Sequence, residues 1–192
     1  MPNRLILAST SRYRAELLAR LGVAFTAESP GVEERPRPGE MAAALAARLA
    51  RAKATAVAAR HPDAWVLGSD QIALRDGEIL GKPGSVARCE AQLLDSSDRE
   101  VLFLTAACLV GPGQSLEHID ETRVRFRPLG GEEVRRYVER EQPFDCAGGF
   151  KCEGLGIALF ERIESSDPTA LIGLPLIWVA AALRQVGLDP LA

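Results

Sequence analysis

The sequence predicts an α/β fold, and three observations carry that reading. Apolar runs of strand length alternate along the chain with longer segments of helical spacing. The hydrophobic fraction is 47% of 192 residues, enough for a sizeable core. One stretch, Trp65-Val66-Leu67-Gly68-Ser69-Asp70-Gln71, rises as an apolar run, meets a glycine and delivers a carboxylate and an amide. Ligands of open α/β sheets bind beyond the carboxyl ends of the strands. Asp70, placed just past the expected end of a buried strand, is therefore the first candidate for chemistry. The length indicates one domain over residues 1–192, with room for two lobes.

Charge and composition remove several classes of function. The net charge of -3 and a pI near 5.5 argue against a nucleic-acid backbone as partner, which needs a basic face. No run of 18 apolar residues exists, so no membrane span is expected. Leu5-Ile6-Leu7-Ala8, after Met1-Pro2-Asn3-Arg4, is too short an apolar segment for a signal peptide, and a cytoplasmic location is expected. Cys89, Cys108, Cys146 and Cys152 form no C-x-x-C pair, and His61 and His118 are the two histidines. That inventory supplies neither a zinc site nor a Ser-His-Asp or Cys-His device. The chemistry must run on carboxylates, Lys, Arg and hydroxyls.

Residues Arg4 to Ala8 read as a short buried strand. Ser9-Thr10-Ser11 follow and offer caps for a helix from Arg12 to Leu21, stopped by Gly22. The turn presents hydroxyls and N–H groups at the positive end of a helix dipole, which is a ready anion site. Arg12 and Arg14 in the first turn oppose that dipole, and an anion shared with the N–H groups would explain them. Val23 to Ala27 reads as a second strand. Ser29 to Glu40 is a proline-rich loop that carries Glu33 and Glu34.

Met41 to Arg60 lacks Gly and Pro and is rich in Ala, Leu and Arg, so it is helical. Leu45 and Leu49 mark its buried stripe, and Lys53 lies at the stripe's edge. A strand from Ala64 to Leu67 then leads to Asp70. Asp76-Gly77 between Gln71–Leu74 and Glu78–Leu80 signals a hairpin. Gly81-Lys82-Pro83-Gly84 holds Lys82 among rigid neighbours but lacks the pattern of a Walker loop.

A helix from about Ser85 to Leu94 follows, then two long strands, Glu100 to Val110 and Leu116 to Phe126, joined at Gly111-Pro112-Gly113. Glu132 to Arg140 is a short polar helix. Residues 145–156 hold four glycines within nine positions, which allows close backbone approach and offers Phe150, Lys151 and Glu153. Ile157 to Ile163 reads as a strand, Asp167-Pro168 as a turn, and Pro175 to Val186 as the last helix.

These pieces together resemble the Maf family of nucleotide pyrophosphatases. The resemblance rests on Leu7-Ala8-Ser9-Thr10-Ser11 with Arg14, Val32-Glu33-Glu34, Lys53, Gly68-Ser69-Asp70-Gln71, Gly81-Lys82-Pro83, and Asp167-Pro168 with Gly173-Leu174-Pro175. Each is weak alone; in this order and spacing they are specific, and they cover essentially the whole chain. The resemblance implies a Maf/ITPase-like fold, with a long twisted mixed sheet flanked by helices and two lobes around a central cleft.

Within the family, the chain is similar to the branch that hydrolyses 7-methyl-GTP. Members acting on dTTP and UTP carry Asp-Thr where this chain has Asp70-Gln71, and arginine where it has Tyr13. The 7-methyl-GTP branch carries an aromatic at that position, usually Trp. The segment from Cys146 to Ile157 is similar to that branch too. Arg12, where the family usually has Pro, and Tyr13 in place of Trp are the departures.

The resemblance implies cleavage of a nucleoside triphosphate between its α and β phosphates. The expected catalytic set is Asp70, Lys82, Lys53 and Glu34, with Ser9, Ser11 and Arg14 binding the triphosphate. Glu34 and Asp70 are expected to hold a divalent cation, Mg²⁺ or Mn²⁺, and Asp70 to orient and deprotonate water. Tyr13, Gln71 and Glu153 are expected to select the base. A methylated, cationic guanine stacks well on an electron-rich ring, and Glu153 can accept from the N1–H and amino group of guanine. The expected partner is a small nucleotide, with a homodimer left open. The competing readings are a pyrophosphatase for dTTP, UTP or non-standard nucleotides, and a non-catalytic nucleotide-binding regulator of cell division. A pure binder has no need of Asp70, Lys53, Lys82 and Arg14 together.

Overall fold

A computed structural model describes residues 4–192; Met1 to Asn3, part of the N-terminal stretch read above, lie outside the described residues. The chain divides into two compact units. The first comprises Met1–Gln71, Thr105–Asp120 and Asp167–Ala192; the second comprises Ile72–Leu104 and Glu121–Ser166. Among the described residues seven strands form one mixed sheet, in which β2 (Phe25–Ala27), β1 (Leu5–Leu7), β3 (Trp65–Arg75), β5 (Glu100–Gly111), β6 (Gln114–Phe126) and β7 (Phe160–Ser165) follow one another in that order and β4 (Glu78–Leu80) pairs with β3.

In the first unit, β1 (Leu5–Leu7) pairs in parallel with β2 (Phe25–Ala27) and with β3 (Trp65–Arg75), so Leu5 faces Phe25 on one side and Trp65 on the other. Parallel neighbours require crossovers. Helix α1 (Arg12–Ala19) supplies the first and α2 (Ala42–Ala58) the second. Alternation along the strands separates two faces. Leu5, Leu7 and Leu67 pack with Leu17 and Leu18 of α1 and with Leu176, Val179 and Leu183 of α5 (Leu176–Gln185).

Gly68 lies in β3 under α2. A Cβ there would sit 2.3 Å from the Ala50 carbonyl oxygen and 2.6 Å from the Ala54 nitrogen. The helix meets the strand through buried Ala46, Ala50 and Ala54, one turn apart, and only glycine beneath permits that approach. Beside this row runs Leu45, Leu49, Lys53, Val57, also buried. Lys53 therefore occupies a place in an otherwise apolar row rather than its edge.

The strand read as ending at Leu67 instead continues to Arg75, which puts Asp70 in the middle of an 11-residue strand. Gly68 serves close packing and does not break the strand. The polar residues after it stay in the sheet because each finds a partner.

In the second unit, β3 turns through Asp76 and Gly77 into β4 (Glu78–Leu80), pairing Arg75 with Glu78. Both turn residues have positive φ, 50° and 84°, the geometry that the Asp-Gly signal predicts. Helices α3 (Val86–Asp95) and α4 (Gly131–Glu141) belong to this unit, with parts of β5 (Glu100–Gly111) and β6 (Gln114–Phe126) and the whole of β7 (Phe160–Ser165).

Its core holds Phe103, Phe126, Phe150 and Phe160 in edge-to-face pairs, with Phe150 4.8 Å from Phe160 and 5.4 Å from Phe103. Phe150, offered by the sequence as a loop side chain, is thus a core residue. The glycine-rich stretch is ordered around it: Gly148 and Gly149 are buried and take positive φ. The last strand begins at Phe160 rather than Ile157, because Leu155–Leu159 coils into a 3₁₀ turn. Gly156 folds back to donate to the Lys151 carbonyl at 3.1 Å, where a Cβ would lie 2.3 Å from that oxygen. Among the described residues no helix is long and apolar enough to cross a membrane.

Candidate active site

The first unit brings Lys53, Asp70 and Glu34 together. Lys53 Nζ lies 2.6 Å from Asp70 Oδ1 and 2.6 Å from Glu34 Oε1. Lys53 and Asp70 are buried, whereas the Glu34 side chain is 56% exposed. The two pairs therefore differ in worth. Removing one partner of a buried pair strands the other charge and costs roughly 3–5 kcal/mol, while a solvated pair contributes about 0–1 kcal/mol. The loop bearing Glu34 is held by a second residue of α2: Arg48 donates to both oxygens of Glu40, at 2.6 and 2.7 Å, and to the Arg35 carbonyl at 3.1 Å. That fork, with the Arg37 N–H, holds the Glu40 carboxyl down at about 2.

Arg14 completes this group. Burial pushes its guanidinium below the usual range, and the Asp70 and Glu34 carboxylates oppose that shift. Its Nε donates to the Gly173 carbonyl at 2.9 Å. Ser11 caps α1, its Oγ accepting from the Arg14 N–H at 3.4 Å, and Ser9 Oγ accepts from the Ser11 N–H at 3.1 Å. Both hydroxyls accept from backbone, which leaves their hydrogens to donate, as an anion requires. The Arg12 guanidinium lies 4.8 Å from the centre of the Tyr13 ring and donates to its hydroxyl at 2.9 Å. The Tyr13 ring thus already attracts one cation.

Gln71 is engaged inward. Its amide nitrogen donates to Thr105 Oγ1 at 3.0 Å, to the Ala170 carbonyl at 3.0 Å and to the Leu171 carbonyl at 3.1 Å. Carbonyls only accept, so this environment fixes which end of the amide is nitrogen. Oε1 is the end left for other contacts, and it can only accept. Asp167, part of the turn read from sequence, accepts from Thr169 through Oδ1 and from the Ile177 N–H through Oδ2 at 2.7 Å, which caps α5 from outside the helix.

Lys82 and Glu153 belong to the second unit, and both are exposed. The segment around Lys82 is tied down by Gln92 donating to the Gly81 carbonyl at 3.2 Å and by the Gly84 N–H donating to the Phe144 carbonyl at 3.0 Å. The segment around Glu153 is anchored on α4. Lys151 donates through its backbone to the Tyr137 hydroxyl at 3.0 Å and through Nζ to the Glu141 carbonyl at 2.6 Å. The Cys152 thiol donates to Glu153 at 3.6 Å and is pushed up to about 12, chiefly by burial.

Sequence reasoning passed over Ser69, Thr105 and Arg48 as functional residues. Thr105 left a signal, as the one hydroxyl within the apolar run Val101 to Val110. Among the described residues no group of three or more His, Cys, Asp or Glu is arranged to hold a metal. Glu34 and Asp70 nonetheless converge on one cation, Lys53 Nζ. Two converging carboxylates fit Mg²⁺, which takes one or two carboxylates plus substrate phosphates rather than a full protein cage.

The model of the Maf-like protein family matches residues 4–186. The chain is 55% identical to the 7-methyl-GTP pyrophosphatase of Xanthomonas oryzae pv. oryzae, over 97% of this chain and 98% of that protein. It is 53% identical to the enzyme of the same name from Bordetella pertussis, over 100% and 96%, and 48% identical to that from Chromohalobacter salexigens, over 98% of each. The solved Ham1 protein of Staphylococcus aureus superposes with a TM-score of 0.54 at 13% identity, covering 96% of this chain and 100% of that one, a likeness of fold alone. With its family model spanning nearly the whole sequence, and with Arg14, Glu34, Lys53 and Asp70 gathered in one unit, this chain belongs to the Maf family.

Proposed function

We propose that this protein is a nucleotide pyrophosphatase that hydrolyses 7-methyl-GTP to 7-methyl-GMP and pyrophosphate. The observation that carries the reading is the buried Lys53 ammonium held between Asp70 and Glu34, within the field that also acts on Arg14. Two cations and two carboxylates in one place suit phosphoryl chemistry, which depends on positioning and charge neutralisation. The relatives' name and their identity over the whole chain support the substrate.

In this reading a water oxygen bonds to the α-phosphorus and the α–β anhydride bond breaks, with pyrophosphate as leaving group. Asp70 orients that water and takes its proton. Arg14 and Lys53 neutralise phosphate charge, and Ser9 and Ser11 donate hydrogen bonds to phosphate oxygens. Glu34 and Asp70 would hold the divalent cation, Mg²⁺ or Mn²⁺, which when bound supplies further charge neutralisation. Tyr13 offers its ring to the cationic base. The roles of Lys82 with phosphate, and of Gln71 and Glu153 with the guanine edge, rest on the resemblance.

The test is pyrophosphate release by the purified protein with Mg²⁺ across 7-methyl-GTP, GTP, dTTP, UTP, CTP and ITP. A preference for 7-methyl-GTP that disappears in Asp70→Asn supports the assignment. Preference for dTTP or UTP keeps the family and overturns the base assignment. A folded protein inactive on all six moves the reading to a nucleotide-binding regulator.

A further inference from the structure

Strand β3 presents Ser69 and Gln71 on the face opposite Asp70. Both reach the same short segment, the turn from Ala170 to Gly173. Ser69 Oγ donates to the Gly173 carbonyl at 2.9 Å, and Gln71 holds the Ala170 and Leu171 carbonyls. Thr105 closes the arrangement from β5, donating to the Ala170 carbonyl at 2.9 Å while accepting from Gln71. Ser69 and Thr105 are fully buried. The turn itself is a three-residue 3₁₀ segment with Gly173 at φ 122°. Its backbone bonds run from the Ala170 N–H to the Asp167 carbonyl at 3.1 Å, from the Ile172 N–H to the Thr169 carbonyl at 3.1 Å and from the Gly173 N–H to the Ala170 carbonyl at 2.9 Å, and none of these three uses the Gly173 carbonyl. The Gly173 carbonyl also accepts from Arg14 Nε, the contact that orients the guanidinium.

We propose that Thr105 and Ser69 are positioning residues that, with the Gln71 amide, lock this turn so that the Gly173 carbonyl aims Arg14. A guanidinium has its donors in one plane, and holding Nε sets where the two remaining NH₂ groups point. Gln71 spends both amide hydrogens in this lock, so it meets a nucleotide only as an acceptor. The inference rests on the phosphate-binding role proposed for Arg14.

The experiment is a double-mutant cycle. Thr105→Val keeps the shape and removes the hydroxyl, and Thr105→Ser restores it. The expected loss in kcat/KM for 7-methyl-GTP is about 10-fold for Thr105→Val in the otherwise wild-type protein, but under about 2-fold when Arg14 is already Ala, because a lock that acts through Arg14 has nothing left to aim. Thr105→Ser recovers most of the loss. The same cycle is run on the affinity for inorganic tripolyphosphate by calorimetry, which needs no turnover. If Thr105→Val does not fold, Ser69→Ala, which removes the Ser69 hydroxyl's bond to the Gly173 carbonyl and leaves that of Arg14, replaces it in the cycle. Equal losses with and without Arg14, in turnover and in tripolyphosphate affinity, overturn the proposal. Absence of turnover in the wild type overturns the functional reading instead, and the calorimetric cycle still decides this one.

Discussion

Gly68→Ala is the substitution that the packing condemns most directly. The added methyl carbon would sit 2.3 Å from the Ala50 carbonyl oxygen, 2.6 Å from the Ala54 nitrogen and 3.0 Å from the Ala54 Cβ. The first two are helix backbone and cannot rotate aside. Relief requires α2 and β3 to separate by roughly 1 Å, and overpacking of that kind costs about 1–3 kcal/mol. For a chain of this size the loss reads as a Tm lower by roughly 3–10 °C. The activity should suffer more than the stability. Lys53 lies on α2 and Asp70 on β3, so the same separation opens the 2.6 Å contact between them. Misplacement of reacting groups by about 1 Å can cost on the order of 100-fold. The assays are thermal unfolding and pyrophosphate release, with activity measured well below the variant's Tm. A variant that melts with the wild type and keeps its turnover would refute the account of how α2 meets β3.

Two further outcomes follow from the charges. Lys53→Met should lower kcat by about 100-fold or more and depress Tm, because it leaves the buried Asp70 without its cation; adding Asp70→Asn should restore much of the Tm and none of the activity. A single Lys53→Met that unfolds like the wild type would show that Asp70 is not stranded. Stability should also show two edges in pH. Glu40 and Glu133 are held at about 2 by Arg48 and Arg127, below the usual 4.5, so their contribution is present above that value and is lost as pH falls toward 2. Burial raises Cys89 to about 11 and Cys108 and Cys152 to about 12, from 9.0, so the fold favours the neutral thiols and loses their contribution as pH rises above 9. Tm measured against pH should be flat from about 5 to 9 and fall on both sides, and a Tm that rises above pH 9 would contradict the burial of these thiols.

Local signals were legible wherever the partner was near in sequence. Asp76-Gly77 specified its hairpin, and Ser11 its helix cap. The helix over α2 followed from an unbroken run of good helix formers. Asp70, Lys53, Arg14 and Glu34 were all singled out, and the structure gathers them. What sequence reading placed wrongly was the setting. Lys53 looked like a snorkelling residue because nothing local shows that an apolar row 45–49–53–57 has a carboxylate at its far wall. Phe150 looked exposed because glycines surround it, while its three ring partners lie 10, 24 and 47 positions away along the chain.

The ending assigned to β3 shows why such errors arise. Polarity after Gly68 reads as the end of a buried strand only if buried polar groups lack partners. Here the partners exist but are remote: Lys53 for Asp70, Thr105 for Gln71, and the Gly173 carbonyl, 104 residues on, for Ser69. With those bonds made, Gly68-Ser69-Asp70-Gln71 is a strand register rather than a loop motif, and its period of two divides the labour. Gly68 and Asp70 face α2, where closeness and charge are needed, and Ser69 and Gln71 face the turn that holds Arg14. A one-residue slip would exchange those faces, put Ser69 under α2 and turn the carboxylate away from Lys53. The register of this single strand therefore sets packing and chemistry together, which is why Gly68→Ala and Thr105→Val, on opposite faces, should both be read out in turnover.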